Sequence, residues 1–182
     1  MSLLPRSPLM LVADSRADEV VTRHGLRRAM RGLAGGVSVV TAGPEGDRTG
    51  ATVTSAHSLS MEPETMVVSI NLGSSTHEAI RRYGSFCVNV LSVDQREVAE
   101  RFAGFGGLKG ESRYEGASWH RLATGAAALD GALASIDCDV EEVIARHSHA
   151  IILGAVRAVA ATGGTGLIYA DGRYGSISVR SG

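Results

Sequence analysis

Short alternating runs of apolar and hydroxyl-bearing residues dominate this chain. The stretch Gly50-Ala51-Thr52-Val53-Thr54-Ser55-Ala56-His57-Ser58-Leu59-Ser60 sets small apolar residues against Thr and Ser. A two-residue period of this kind predicts a strand with one wet face. Val37–Thr41 is a β-branched run, and Thr65–Ile70 is apolar nearly throughout. The first predicts a strand and the second a strand buried on both faces. Phe86–Leu91 alternates again. Ala132–Ile144 and His149–Ala161 predict two long strands joined by a turn over Ala145–Ser148. Leu167–Tyr169 and Tyr174–Val179 flank Asp171-Gly172, a strong two-residue hairpin signal.

The helical period is rarer. Leu26, Met30 and Leu33 stand at i, i+4 and i+7, with Arg27, Arg28 and Arg31 opposite, so a helix is expected from near Thr22 until Gly35-Gly36 ends it. Thr76–Tyr83 predicts a short helix. Ser92-x-x-Gln95 is a capping box ahead of a stripe of Val98, Ala99 and Phe102. Phe105–Ser118 has no period and reads as a long loop, and Trp119–Leu129 stays irregular. About seven strands with two or three short helices, not in regular alternation, argue against a doubly wound parallel sheet and for an antiparallel barrel with helical insertions.

The chain has 182 residues, enough for one domain with a full core. Residues 1–17 are expected to form a flexible arm and residues 18–182 a single domain. The formal net charge is −1 and aromatics are only 4%, so neither nucleic acid nor an anionic membrane is an expected partner. No segment is long enough to cross a bilayer, and Pro5, Arg6 and Pro8 interrupt the partly apolar start. Cys87 and Cys138 sit alone in apolar runs, which favours free buried thiols over a disulfide and a cytoplasmic protein.

The chemistry is narrowed first by what is missing. There is no dinucleotide-binding G-x-G-x-x-G: Gly104-Phe105-Gly106 is followed by Lys109 where the third glycine would fall. There is no P-loop and no G-x-S-x-G elbow. His147 and His149 are two apart, but no third zinc ligand is close in sequence, so no metal site is expected. What remains is the small-residue strand and a hydroxyl-rich segment, Asn71, Ser74, Ser75 and Thr76, ahead of a helix. Gly50 and Ala51 leave room for a flat ligand against the backbone, and free N–H groups at a helix start attract phosphate. The same residues also read as a polar-faced strand followed by a capping box, Ser75-x-x-Glu78. His149 reads either as a strand-start histidine bonded to its neighbours or as an imidazole facing a bound ring.

The ordered set Ala29-Met30, Gly36–Thr41, Gly50–Ser55, Ser58–Pro63, Phe86–Leu91, Arg101–Gly104, Leu133–Cys138, His149 and Leu167–Tyr169 resembles the short-chain flavin reductase family. These proteins are the reductase components of two-component monooxygenases, such as those acting on 4-hydroxyphenylacetate or phenol. The resemblance runs from about residue 22 to 179. It implies an FMN-binding split β-barrel of antiparallel Greek-key type, usually a homodimer, binding FMN or FAD. It implies reduction of that flavin by NADH or NADPH and delivery of reduced flavin to a separate monooxygenase. A flavin-binding sensor or storage protein of the same barrel is the alternative.

By motif position, Thr52, Val53, Thr54 and Ser55 would line the isoalloxazine ring, with Gly50, Ala51, Ser58 and Ser60 beside it. Asn71, Ser74, Ser75 and Thr76 would serve the ribityl-phosphate. Phe102 and Phe105 would close over the flavin, with Tyr169 a further cofactor-binding candidate. His149 would sit near the nicotinamide as the catalytic candidate. One position departs from the pattern: many relatives carry Lys or Arg after Asn71, whereas this chain has Leu72. Either Arg48, Arg101 or another residue replaces that charge, or N–H and hydroxyl groups hold the phosphate alone.

Overall fold

The computed structural model describes residues 23–177. In chain order its elements are helix α1 (Arg23–Met30), strands β1 (Gly35–Gly36), β2 (Ser38–Ala42), β3 (Thr49–Val53), β4 (His57–Met61) and β5 (Glu64–Asn71), and helix α2 (Ser75–Tyr83). Strand β6 (Ser85–Val90) and helix α3 (Arg96–Phe102) follow. Then come β7 (Trp119–Arg121), β8 (Ala127–Leu129), β9 (Ala134–Arg146), β10 (His149–Ala161), β11 (Leu167–Ala170) and β12 (Arg173–Ser176). Single 3₁₀ turns lie at Val93–Gln95, Phe105–Gly107 and Gly110–Tyr114.

Seven strands form one sheet in the order β3-β2-β6-β9-β10-β5-β4, with every pair antiparallel. The 50–60 stretch, expected as one strand, is divided between β3 and β4, which lie at opposite edges of this sheet. Only Thr54, Ser55 and Ala56 join them. Four Cα steps span at most about 15 Å, so the sheet curls until its two edges face each other. The result is a barrel split between β3 and β4. Strand β6 then returns across α2 to lie beside β2, the long connection of a Greek key. A β1-β11-β12 sheet and a β7-β8 ribbon pack outside the barrel.

Three apolar clusters fill the described residues, the smallest being Cys87, Ala126 and Ala128. Val40, Val68, Ile80, Phe86, Val88 and Ile152 form the barrel interior. Val37, Leu91, Phe102, Tyr114, Leu129 and Leu167 fill the space under α3. Strand β6 is buried on both faces because Phe86 and Val88 enter the barrel interior while Cys87 packs on the other side against Ala126 and Ala128 of the β8 segment. Asn89 ties the layers together: its Nδ2 donates to the Val39 and Ala127 carbonyls, and its Oδ1 accepts from Leu129 N–H and Ser135 Oγ. A Cβ on Gly154 would lie 2.5 Å from the Phe86 ring, so this position of β10 admits no larger residue.

Several expectations need correction. Helix α1 stops at Met30, and its stripe is not core: Leu26 is 65% exposed, Met30 49% and Leu33 64%. Gly35-Gly36 does not end a helix; it forms β1, paired with Ile168 and Tyr169. The segment expected to be irregular holds the β7-β8 ribbon. The turn between β9 and β10 is tighter than Ala145–Ser148 and consists of His147 and Ser148, with His147 at φ +50°. The Asp171-Gly172 hairpin is as expected, with both residues at positive φ. Val179 and residues 1–17 lie outside the described residues. Cys87 and Cys138 are free and buried, and burial pushes the Cys138 thiol up to about 12.

Candidate functional site

The end of β5 leads into α2 through a turn built by its own side chains. Asn71 Oδ1 accepts from Gly73 N–H (2.8 Å), and Ser74 Oγ donates to the Asn71 carbonyl (2.7 Å). The cap is Ser74, one residue before the expected Ser75: Ser74 Oγ accepts from His77 N–H at 3.1 Å, and the Ser74 carbonyl takes Glu78 N–H. The amides of Ser75 and Thr76 therefore precede the first intrahelical bond and are not used by the cap. Ser75 Oγ instead meets Thr49 Oγ1 at 2.8 Å, fastening the helix start to β3.

A cleft of about 850 Å³ opens here, lined by Leu72, Gly73, Ser74, Ser75, His77, Glu78, Arg81 and Arg82. Arg82 is committed to Asp47 and Glu78. Tyr83 also donates to Asp47, and that bond, with Arg82, holds the Asp47 carboxyl below its ordinary range. Arg81 is different, having no ion pair or hydrogen bond among the described residues. His77 is 6% exposed, and its Nε2 is buried with no partner among the described residues. Ser74, His77 or Glu78, and Arg81 fall at i, i+3/i+4 and i+7, so they share one face of α2 and all line the cleft.

Arg48 and Arg101, the candidates to supply the charge that Leu72 lacks, are both committed elsewhere. Arg48 pairs with Glu111 (2.9 Å) and lies over the Tyr114 ring. Arg101 donates to the Ser112 and Arg113 carbonyls. Sequence reasoning passed over Arg81 and His77. The available signal was their spacing from Ser74 on one helix.

Strand β3 carries the ring-lining candidates. Thr52 Oγ1 donates to Ala99 O (2.6 Å), and Ser55 Oγ donates to Ser69 O (3.1 Å), so the linker after β3 is fastened to β5 across the split. Ala51, Val53 and Thr54 keep partly open surfaces. Two candidates serve packing instead. A Cβ on Gly50 would lie 2.7 Å from the Phe102 ring, so this glycine admits an aromatic core residue, not a ligand. Phe102 is 2% exposed, edge-on to Tyr114 and tilted against Trp119, and cannot act as a lid in this chain. The Gly50 and Thr49 carbonyls are taken by Arg113 Nη1 (2.6 Å) and Tyr114 OH (2.7 Å). Phe105 is 64% exposed and free to cover a ligand.

His149 lies directly opposite Asn71 in the β5-β10 ladder. Its Nδ1 meets Ser148 Oγ at 2.9 Å, and Leu72 N–H donates to Ser148 O. The backbone of His149 thus lies beside the turn into α2, although the histidine is not among the residues lining the cleft. Ser58 and Ser60 are not brought there. They pair with Met66 and Thr65, about 17–20 Å down β5 from Asn71 at 3.3–3.4 Å per residue. Thr76 has its side chain buried. Tyr169 lies opposite Gly35, whose Cβ position is 3.0 Å from Thr54, so it stands beyond the far end of β3. Among the described residues, no three His, Cys, Asp or Glu side chains gather as a metal would require.

A family model described as "Flavin reductase like domain" matches residues 30–178. The chain belongs to the flavin reductase-like family. It is 36% identical over 169 residues to the FMN reductase (NADH) RutF of Methylorubrum populi, covering 92% of this chain and 83% of that protein. With RutF 2 of Rhizobium rhizogenes, also an FMN reductase (NADH), it shares 34% over 177 residues, 97% of this chain and 98% of that one. Among solved structures, a putative flavin reductase from Haemophilus somnus superimposes with a TM-score of 0.82 at 28% identity, covering 86% of this chain and all of that one. BorF, the flavin reductase component of a bacterial two-component tryptophan halogenase, gives 0.79 at 28% identity, covering 87% of this chain and 100% of that one. The fold of this chain is thus shared with these two solved structures.

Proposed function

We propose that this chain is an NADH-dependent FMN reductase that hands reduced flavin to a separate monooxygenase. The observation that carries the reading is the α2 cleft. It combines two amides outside the helix ladder with an arginine that has no partner among the described residues. Such a cleft suits a phosphate, which accepts from helix-start amides and from guanidinium.

When bound, the flavin and nicotinamide carry the hydride transfer from C4 to N5 between themselves. The protein's part is positional. Ser75, Thr76 and Arg81 hold the phosphate, and the open segment from Ala51 to Ser55 lies along the ring. His149, opposite Asn71, contacts the nicotinamide side. Stacking two flat rings at attack distance needs small residues and backbone groups rather than an acid–base pair. Use of NADPH or FAD is an extension of the same reading.

We further propose a cytoplasmic homodimer. Leu59 and Met61 on β4 and Ile151 and Val159 on β10 leave apolar surface open on the single chain. Light scattering at micromolar concentration should return twice the chain mass, and a monomer would remove this part.

The deciding experiment is steady-state loss of nicotinamide absorbance, with NADH or NADPH and with FMN, FAD or riboflavin. Oxidation that depends on added flavin is expected, fastest with NADH and FMN. Flavin binding with no oxidation of either nucleotide would replace the reductase reading with that of a flavin-binding protein.

A further inference from the structure

The β1-β11-β12 sheet and α1 enclose a second cleft, of about 650 Å³, outside the α2 site. Arg27, Arg28 and Arg31 line one side, and Tyr169 and the hairpin residues Asp171 and Gly172 the other. The wall is fixed to the hairpin: Asp171 N–H donates to the Arg31 carbonyl at 2.9 Å. Among the described residues, none of the three guanidinium groups has an ion pair or hydrogen bond. Asp171 is the only acid among the lining residues, so the cleft keeps an excess of positive charge. Tyr169 is 39% exposed and packs edge-on against Tyr174, leaving aromatic surface toward the cleft.

Its position relative to β3 identifies what this charge serves. The two ends of β3 mark two ends of the site. Thr49 is bonded to Ser75 at the helix start, whereas Thr54, past the other end, touches Gly35, the cross-strand partner of Tyr169. Five residues of strand separate these ends by about 17 Å. A flavin phosphate held at α2 cannot also occupy the arginine cleft. The second phosphorylated substrate of the proposed reaction is the nicotinamide dinucleotide.

We infer that the α1–hairpin cleft is the subsite for the ADP half of that dinucleotide. Arg27, Arg28 and Arg31 meet its phosphates, and Tyr169 offers a face for adenine. Guanidinium groups bind phosphate oxygens through paired N–H donors, and an aromatic face accepts a flat base. The inference rests on the reductase reading and adds to it a place for the part of the cosubstrate remote from the hydride.

The test is the double variant Arg27→Ser/Arg28→Ser in the full chain, assayed with FMN and three reductants: NADH, NADPH and reduced nicotinamide riboside, which lacks the ADP half. Loss of two charge-assisted contacts should raise KM for NADH and NADPH about tenfold with kcat little changed. Rates with the riboside and the Kd for FMN should stay at wild-type values. The wild-type KM for NADH should also climb more steeply with salt than the variant's. Equal KM values for NADH in both proteins would overturn the subsite, as would an equal loss with all three reductants, which marks general damage. A variant that changes only its light-scattering mass would assign the cleft to contact between copies instead. If wild type oxidises none of the three, the reductase reading falls and this subsite with it.

Discussion

Two neighbouring walls of the barrel, both rich in arginine and both touching β3, are put to opposite uses. On one side of β3, the segment from α3 to Tyr114 places Arg48, Arg101 and Arg113 against Glu111 and backbone carbonyls, with Tyr114 closing on Thr49 O. Every one of those side chains has a partner, and the Phe102 ring fills the space that Gly50 leaves. This wall covers an edge strand that would otherwise offer its free backbone groups to another chain. On the other side, the start of α2 leaves Arg81 without a partner among the described residues, beside two helix-start amides. A polar group that the fold itself satisfies belongs to the scaffold. Groups left unmatched in a cleft are what a ligand can use.

That contrast can be broken experimentally, most severely on the scaffold side. Phe102→Ala removes a fully buried ring and should cost about 3–5 kcal/mol of stability, visible as a lower midpoint in chemical denaturation. If stability is kept while flavin affinity collapses, the ring belongs to the site after all.

On the cleft side the order reverses. Ser75→Glu places a carboxylate where the phosphate should lie. It should weaken FMN by more than tenfold, leave riboflavin nearly unaffected, and change stability by less than about 1 kcal/mol, as acidic groups at a helix start do. Fluorescence titration of both flavins decides it, and equal losses for the two would move the phosphate elsewhere. Arg81→Leu should weaken FMN by roughly tenfold, the usual scale for one charge-assisted contact, again sparing riboflavin and the denaturation midpoint. An unchanged FMN affinity would show that the amides suffice without a cation.

A smaller change is expected for His149→Ala. It should slow stopped-flow flavin reduction severalfold, as loss of one positioning contact does, with flavin affinity within about twofold of wild type. Equal loss of rate and affinity would make this histidine a structural residue. The smallest effect concerns the barrel interior. With the Cys138 thiol pushed up to about 12 by burial, and Cys87 raised further still, neither should react with iodoacetamide at pH 8 while the protein is folded. Labelling of the native chain would mean that the interior opens readily.

Much of the local structure was legible from residue order. The Ser92-x-x-Gln95 box, the Asp171-Gly172 turn and the long β9-β10 pair follow from side-chain chemistry within a few residues. The hydroxyl-rich approach to α2 also showed in the sequence, off by one residue at the cap. Both Ser74 and Ser75 carry a suitable hydroxyl, and only the bond from Ser75 to Thr49 decides between them.

What the sequence by itself determined is therefore the kind of each element, the turns between them and the resemblance to flavin reductases. Tertiary structure decided which surfaces are available. A two-residue period says that a strand has two faces, but not that β3 and β4 end on opposite edges of one curled sheet. Nor does it say that Phe102 closes over Gly50 rather than over a ligand. A run of arginines likewise carries no sign of which will be matched. Arg48 and Glu111 are 63 residues apart, and only the fold brings them together while leaving Arg81 open. Pairing is a property of distance in space, and distance in space between remote residues is what the closing of the barrel sets.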